Sequence, residues 1–296
     1  MANKTYQIIT DRIVDRLKEG IIPWKKPWNP GQPQQNPFTK NVYHGINQLL
    51  LNSMGYSQPY WATFKQISKM GKSVRKGAKG VPIIFASFKE TEKIKSDGSI
   101  VEGKFFFYRY YTVFNVAQTN IILPEDEKPK IDFEPIGNAE KIIELYSDIG
   151  PRVNHGGQDR AFYRPSTDQI YLPDREIFTG EPEYYSTIFH EFGHSTGHSK
   201  RWTNKKGRPG IMNHTGFGSH AYSEEELVAE ITSCFLCSEA NILESTGDNS
   251  QAYINNWIKA LKDNPTFIVK AAQQAEKAAN IILKRKKEYK NQGGKK

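Results

Sequence analysis

The chain has 296 residues, of which 37% are hydrophobic and 25% are charged, a composition typical of a globular protein with a polar surface. It contains no run of about 18 apolar residues, which excludes a membrane-spanning helix, and its first residues lack the apolar core of a secretion signal. We therefore expect a cytoplasmic protein with no membrane partner. Residues 1–120 hold 18 basic and 7 acidic side chains, residues 121–283 hold 16 and 24, and residues 284–296 hold 7 and 1. This uneven distribution of the net charge of +9 predicts two domains with different partners.

The first predicted element is a helix over residues 6–18, where apolar side chains recur at helical spacing. The segment after it is rich in proline and contains Trp24, Lys25 and Lys26. The indole ring could stack on a base, and the two ammonium groups could contact phosphates. A loop that is pinned to the core by its tryptophans explains this segment equally well. Further helices are predicted at residues 47–54 and 61–70.

Residues 61–88 form a segment that is entirely free of acidic side chains. It contains six basic ones: Lys65, Lys69, Lys72, Arg75, Lys76 and Lys79. The first three of these are predicted to share one helical face. A surface of a single charge sign is what binding to a phosphate backbone requires. Charged runs often form only a solvated surface, but the absence of acids over 28 residues favours nucleic-acid binding.

A strand is predicted at residues 81–85, and Asp97-Gly98 is a hairpin signal. Residues 105–114 are rich in aromatic side chains and include Arg109. A strand of this kind could bury one face and offer the other to bases, and stacking on aromatic rings suits single strands because it tolerates any base. A strand buried on both faces is the alternative. No helix-turn-helix or zinc-finger pattern for duplex DNA is visible, so single-stranded DNA is the predicted partner.

The predicted fold class is α+β, with an α+β N-terminal domain that binds single-stranded DNA followed by a mostly helical domain with a small β-sheet. Residues 123–136, rich in proline and charge, are the predicted linker between domains at 1–122 and 137–296. The second domain ends in a basic tail. Its predicted elements are helices at 138–146, 184–197, 222–240, 252–261 and 266–290, and two short strands within 162–173. The outer strand could bind an extended peptide by strand addition.

Two cysteines, Cys234 and Cys237, have C-x-x-C spacing inside one of the predicted helices. Two cysteines cannot form a disulfide framework, and no βαβ pattern surrounds them, which argues against a thioredoxin-like role. We expect two buried free thiols.

Residues 190–194 read His-Glu-Phe-Gly-His, within a predicted helix. Because residues four apart lie on one face of a helix, His190 and His194 can direct two imidazoles at one ion. Glu191 lies about 100° further round the helix, within reach of an attacking water, which is the position of a general base. The expected ion is Zn²⁺, although Mn²⁺ or another divalent ion also suits two histidines and a carboxylate. Two surface histidines are the simpler alternative.

A catalytic zinc ion usually has three protein ligands, so a third ligand is needed. His198 lies about 12 Å along the helix from His190 and cannot share its ion. We assign Glu226 as the third ligand and Glu230, four residues later, as the acid that holds a ligating histidine in place. The opposite assignment stays open. Residues 224–226 could also form only the acidic first turn of a helix, with Ser223 and Glu226 as a capping box.

Short motifs that match one family occur along nearly the whole chain. They are Tyr43-x-Gly45-x-Asn47, Trp61-x-Thr63-Phe64-Lys65-Gln66, Val74-Arg75-Lys76-Gly77, Val113-Phe114-Asn115-Val116-x-Gln118-Thr119, His190-Glu191-x-x-His194-x-x-Gly197-His198, Tyr222-x-x-Glu225-Glu226-Leu227-Val228-Ala229-Glu230-Ile231 and Trp257-Ile258-x-Ala260-Leu261. On these residues the chain resembles the ArdC family of antirestriction proteins of conjugative plasmids. The resemblance implies a domain that binds single-stranded DNA joined to a zincin-like metallopeptidase domain. It also implies protection of incoming plasmid DNA from the restriction systems of the recipient.

Two functions are compatible with this sequence. In the first, the protein binds single-stranded DNA and the site at Glu191 is an active metallopeptidase, whose substrate is a protein or peptide such as a restriction component. In the second, the protein is not catalytic. Its metal site is then structural, and it binds single-stranded DNA and acts by shielding that DNA or by blocking the restriction enzyme.

Overall fold

The computed structural model describes residues 2–23, 33–56, 58–94, 100–122, 135–157, 160–178, 180–202, 206–208, 211, 220–242 and 251–285. Its helices are α1 (Ala2–Lys18), α2 (Ile46–Ser53), α3 (Phe64–Lys69), α4 (Pro135–Ser147), α5 (Glu181–Thr196), α6 (His220–Ala240), α7 (Gln251–Asp263) and α8 (Phe267–Ile282). Its strands are β1 (Trp61–Thr63), β2 (Val81–Ile94), β3 (Ile100–Asn115), β4 (Arg152–His155), β5 (Phe162–Arg164) and β6 (Gln169–Leu172). Helices packed around two small sheets confirm the predicted α+β class. None of the described helices has the length and apolarity to cross a bilayer.

The N-terminal sheet has the strand order β1-β3-β2 and is antiparallel throughout. Strands β2 and β3 form one long hairpin whose pairing runs from Val81 opposite Val113 to Ile94 opposite Ile100. The predicted turn at Asp97-Gly98 lies outside the described residues, but the two strands that flank it pair as a hairpin requires.

The outer edge of β2 is closed by an amide side chain. Asn47 on α2 is buried; its Nδ2 donates to the carbonyl of Ile84 at 2.7 Å, and its Oδ1 accepts from the backbone N–H of Ile84 at 2.8 Å. This side chain therefore makes the two hydrogen bonds that a neighbouring strand would make. Because unpaired backbone groups at a sheet edge are costly when buried, these bonds fix α2 against the sheet.

The prediction of one helix over residues 61–70 is wrong at its start. The first three of these residues form β1 and pair with the end of β3, which lies about 50 residues further along the chain. Only then does α3 begin, with Thr63 as its N-cap and Gln66 completing a capping box. Gly71, at φ 67°, turns the chain out of the helix.

Two hydrophobic clusters form the core. The first joins α1, α2 and the N-terminal sheet to the inner faces of α6, α7 and α8. The second joins α4, α5, β5 and β6 to the other end of α6 and α8. Helices α6 and α8 thus contribute buried side chains to both clusters. The predicted division at residues 123–136 stays a prediction, and residues 123–134 lie outside the description.

The second sheet has the order β4-β6-β5, with β6 parallel to β4 and antiparallel to β5. Strands β5 and β6 pack on α5. Their connecting turn contains Asp168 at φ 55°, whose carboxylate accepts from Tyr163 at 2.8 Å and pairs with Arg201. Arg201 in turn donates from Nε to the carbonyl of Ser195 at 3.0 Å, so the sheet is tied to the C-terminal end of α5.

Candidate functional site

The site lies at a close contact between α5 and α6. Gly193 on α5 makes this approach possible, since a Cβ atom there would lie 2.9 Å from the Cα of Ala229 on α6 and 3.2 Å from Cβ of Thr232. The two histidines of the His-Glu-Phe-Gly-His motif flank this glycine along α5. The contact therefore presents them to the side chains of α6.

Three donor side chains converge at this contact: His190, His194 and Glu226. The Nε2 atoms of the histidines are 3.0 Å apart, and the two Glu226 oxygens lie 3.5 Å from one imidazole each. Ligands at about 2.0–2.1 Å from a tetrahedral ion would be roughly 3.3 Å apart. The three side chains that the sequence singled out as metal ligands thus have the spacing that a single divalent ion needs.

The ring of His194 is oriented from behind by a second carboxylate. Its Nδ1 lies 3.2 Å from Oε1 of Glu225, a residue that is only 4% exposed. A proton held on Nδ1 by this carboxylate leaves the Nε2 lone pair directed at the cluster. Glu225 therefore holds a histidine in the way that the sequence analysis assigned to Glu230.

Glu225 is itself held by Arg208, which is 1% exposed. Arg208 donates from Nε to Oε2 of Glu225 at 2.7 Å, and from its terminal nitrogens to Thr196 Oγ1 at 2.8 Å and to the carbonyl of Gly193 at 2.7 Å. Burial would raise the pKa of Glu225, but the charge and hydrogen bonds of Arg208, with a smaller contribution from His194, lower it. The carboxylate thus stays ionised beside the imidazole.

Negative charge also surrounds His190. Burial alone would lower its pKa, but the hydrogen bond with Glu226 and the charges of Glu230, Glu191 and Glu226 outweigh burial and raise the pKa of His190 to about 9. Glu230 therefore acts on this histidine at least through its charge. Among the described residues, Glu226 is the acid whose carboxylate lies within ligand spacing of both histidines.

The capping-box alternative for this region is wrong. Helix α6 begins at His220, three residues before Ser223, so Ser223 does not occupy an N-cap position. Glu226 lies within the second turn of α6, where capping does not compete with metal binding.

Glu191 has the surroundings expected of a reactive carboxylate. It is 6% exposed, and its Oε2 makes no hydrogen bond to any of the described residues. A buried carboxylate oxygen without a partner is costly, so it commonly marks a place where water, an ion or a substrate completes the contacts.

The structure places all six basic side chains of the acid-free segment on the surface: Lys65, Lys69, Lys72, Arg75, Lys76 and Lys79. Lys72 follows the end of α3 at Lys69, so the prediction that three lysines share one helical face is wrong. Arg109 on β3 is exposed as well. The other predicted contacts, Trp24, Lys25 and Lys26, lie outside the described residues.

Two structural findings escaped the sequence analysis. The pattern of the acidic run 224–226 does not single out Glu225, although its place one residue before Glu226 is a usable signal. Arg208 comes from an irregular segment with no periodicity and offers no such signal. The two cysteines are buried free thiols on α6, as predicted.

Comparison with known proteins defines the class. A model described as the N-terminal domain of the anti-restriction factor ArdC matches residues 3–114, and one described as a zincin-like metallopeptidase matches residues 139–274. Fold and site thus define a protein that joins an ArdC-type N-terminal domain to a zincin-like metallopeptidase domain.

Solved structures identify the family. The crystal structures of the antirestriction ArdC protein from plasmid R388, metal-free and Mn(II)-bound, are each 31% identical in sequence with a TM-score of 0.69. Each match covers 94% of this chain, and 96% and 97% of the respective ArdC chains. The chain belongs to the ArdC family of antirestriction proteins.

Curated relatives include longer proteins. Two DNA primases TraC of Escherichia coli are 38% and 36% identical over 297 and 295 residues, which is 94% of this chain but only 27% and 20% of the primases. The chain thus spans about a quarter or less of their length. The uncharacterized protein y4eC of Sinorhizobium fredii is 29% identical over 290 residues, which is 93% of this chain and 90% of y4eC.

Proposed function

We propose that this antirestriction protein binds single-stranded DNA through its N-terminal domain and carries a divalent-metal peptidase site held by His190, His194 and Glu226. It would act in the cytoplasm on DNA that enters with a plasmid. The observation that carries the peptidase half is the convergence of three ligand atoms beside the unpartnered buried oxygen of Glu191.

The residues of the site have separate tasks in this proposal. A divalent ion held by His190, His194 and Glu226 would supply Lewis acidity, which would lower the pKa of a water molecule to about 7. Glu191 Oε2 accepts the proton of the attacking water and passes it to the leaving amine. The outer strand β5, which packs on α5, offers its edge to an extended peptide.

The donor set favours a catalytic over a purely structural ion. The three ligands found among the described residues leave one tetrahedral position open, as catalytic sites do, whereas structural sites use four. The ArdC relative has been crystallised metal-free and Mn(II)-bound, and this chain matches both forms equally well. The fold therefore has no evident need of an ion to join α5 and α6.

Exchange of Glu226 for glutamine tests the ligand assignment. We expect the purified protein to bind one divalent ion per chain and Glu226→Gln to lose more than 100-fold in affinity. Glu230→Gln should lose less affinity than Glu226→Gln, because Glu230 acts on His190 through its charge. Metal titrations with Zn²⁺ and Mn²⁺ give these constants.

The control for this titration is Glu224→Gln, which changes a neighbouring acid whose contact with Gln274 an amide can keep. If Glu230→Gln proves more damaging than Glu226→Gln, the two roles are exchanged. If neither substitution alters metal affinity, the ion is bound elsewhere and the proposed centre is wrong.

The DNA-binding half is supported by the ArdC-type N-terminal domain and by the exposed basic residues on and beyond α3. We expect the affinity for single-stranded DNA to fall with salt at a slope near 0.7 per phosphate contacted. The double variant Lys65→Gln, Lys69→Gln should reduce that slope by about 0.7 for each phosphate that it no longer neutralises.

Lys262→Gln, which removes an exposed lysine of α7 remote in sequence from the basic segment, is the matched control and should leave the slope unchanged. Fluorescence anisotropy at a series of salt concentrations measures all three proteins. Binding that is insensitive to salt, or tighter binding to duplex DNA, would overturn this half of the proposal.

A further inference from the structure

A cavity of about 210 Å³ opens on one face of the N-terminal sheet. Its floor is apolar and consists of Ile83 and Val113, with Phe85 and Tyr111 beside them. Residues 36–43 form one wall, and the beginning of α3 forms the other. Sites that hold drug-sized molecules measure about 300–1,000 Å³, so this cavity suits one small planar group.

Tyr111 is positioned to stack on such a group. It pairs with Ile83 across the hairpin and shares its face, whereas Tyr110 faces the opposite way. Its ring meets that of Phe85 nearly at right angles, at 72° and 5.6 Å between centroids, a contact that cannot cover both faces of the tyrosine. With 43% of Tyr111 exposed, an aromatic surface remains open at the cavity.

Several polar side chains line the cavity, and among them Gln66 has a fixed orientation. Its Oε1 accepts from the backbone N–H of Thr63 at 2.9 Å and from Asn36 Nδ2 at 3.1 Å. Because a backbone N–H can only donate, the atom that faces it must be the amide oxygen. Nε2 of Gln66 makes no hydrogen bond to the described residues, so the side chain offers only donors to a ligand.

Asn36 is held just as firmly. Its Oδ1 accepts from the backbone N–H groups of Phe38 and Thr39, both at 3.0 Å, which leaves Nδ2 for Gln66. The orientations of both side-chain amides are therefore fixed, because a flip of either amide would break hydrogen bonds to the backbone. Because Gln66 Nε2 is fixed as a hydrogen-bond donor, the cavity favours a ligand that carries an acceptor.

Basic side chains border the cavity. Lys40 lies between two lining residues, Thr39 and Asn41, and Lys65 precedes Gln66; both lysines are exposed. Arg109 lies on the same sheet face as Tyr111, two residues earlier. This charge fits the phosphates on either side of a base inserted into the cavity.

We propose that this cavity binds one pyrimidine base, preferably thymine, of single-stranded DNA, with the base stacked on Tyr111 and a carbonyl oxygen of the base accepting from Gln66 Nε2. The proposal rests on the DNA binding proposed above. Adenine offers this donor only a ring nitrogen that lies beside its own N6 amino donor, and the amide oxygen that would accept from that amino group is engaged here by Thr63 and Asn36. The cavity thereby adds a base preference to a surface that otherwise reads only phosphate.

Tyr111→Leu tests the stacking contact in the full-length protein. We expect its affinity for an oligo(dT) strand to fall about five- to 150-fold, the range that follows from removing one base–aromatic stack. Tyr110→Leu is the matched control: the side chain is similarly exposed, at 48%, and lies on the other face, so affinity should not change. Equal losses in the two variants, or none in either, would overturn the assignment.

Gln66→Glu tests the hydrogen bond without removing the cap of α3, because glutamate also completes a capping box. The wild-type protein should prefer oligo(dT) to oligo(dA) by about two- to tenfold, as one hydrogen bond gives. The added charge weakens both complexes, whereas loss of the donor weakens chiefly the thymine complex, because a glutamate oxygen can still accept from the amino group of adenine. The ratio of the two affinities should therefore fall towards one, and an unchanged ratio would rule out the contact.

The two proposals fail in different ways. If the wild-type protein binds no single-stranded DNA, the proposed function of the domain is wrong. If it binds with the expected salt dependence but Tyr111→Leu and Gln66→Glu behave like the control, DNA binding stands and the base site alone is wrong.

Discussion

Replacement of Arg208 by methionine is expected to lower the free energy of unfolding by about 3–5 kcal/mol, since it leaves Glu225 as a buried charge without its partner. For a chain of this size, the melting temperature should fall by roughly 6–20 °C. The guanidinium group also holds Thr196 and the carbonyl of Gly193, so the C-terminal turn of α5 loses its anchor together with the carboxylate. Thermal unfolding followed by circular dichroism measures the change.

Arg285→Met is the control for charge removal, because this exposed arginine pairs with Glu239 at the surface, where an ion pair contributes about 0–1 kcal/mol. The double variant Arg208→Met, Glu225→Met separates stability from metal positioning. It removes both charges and should recover much of the stability. Its metal affinity should stay about 10- to 100-fold below wild type, because His194 has lost the carboxylate that orients it. Full recovery of both properties would show that Glu225 does not position the histidine.

Glu191→Gln is expected to keep the metal affinity of the wild-type protein and to lose peptide hydrolysis by about 100- to 10,000-fold, the range for removal of a general base. An amide keeps the size of the side chain but cannot accept the proton at this position. Cleavage of a peptide library, read by mass spectrometry of the new termini, measures the activity, and metal titration measures the site. Hydrolysis at the wild-type rate would rule out the role of Glu191.

The same variant distinguishes the two functions in cells. If antirestriction depends on proteolysis, Glu191→Gln should lose protection of incoming plasmid DNA, and Glu224→Gln should keep it. If Glu191→Gln protects as well as wild type while the Lys65→Gln, Lys69→Gln pair fails, protection comes from DNA binding alone. The peptidase activity would then be dispensable for antirestriction.

The convergence of His190, His194 and Glu226 could be predicted from the sequence because its signals are local. Spacing of four on one helix brings His190 and His194 together, and the same spacing singled out Glu226 and Glu230 on the next site helix. What the spacing could not give is the way α5 and α6 meet. That contact depends on Gly193 facing Ala229, and it decides which carboxylates reach which imidazole.

The missed features depend on contacts between distant parts of the chain. Arg208 reaches Glu225 from an irregular segment, and no pattern along the sequence marks such a residue. The first residues of the predicted helix at 61–70 are a strand because β3, some 50 residues away, supplies hydrogen bonds that outweigh local helical preference. The cavity at Tyr111 likewise exists only where the 36–43 turn, α3 and the hairpin come together.

Helices α6 and α8 bury side chains in both hydrophobic clusters. This sharing limits where recombination could divide the gene without exposing apolar side chains. A recombination breakpoint near residue 130 would separate the N-terminal sheet, α1 and α2 from the buried side chains of α6, α7 and α8 that complete the first cluster, although every member of the second cluster lies after residue 138. We therefore expect the coding region for this chain to be transferred between genes as a whole and not in two parts. The alignments with the far longer TraC primases, each spanning 94% of the present chain, are what such block-wise transfer would leave behind.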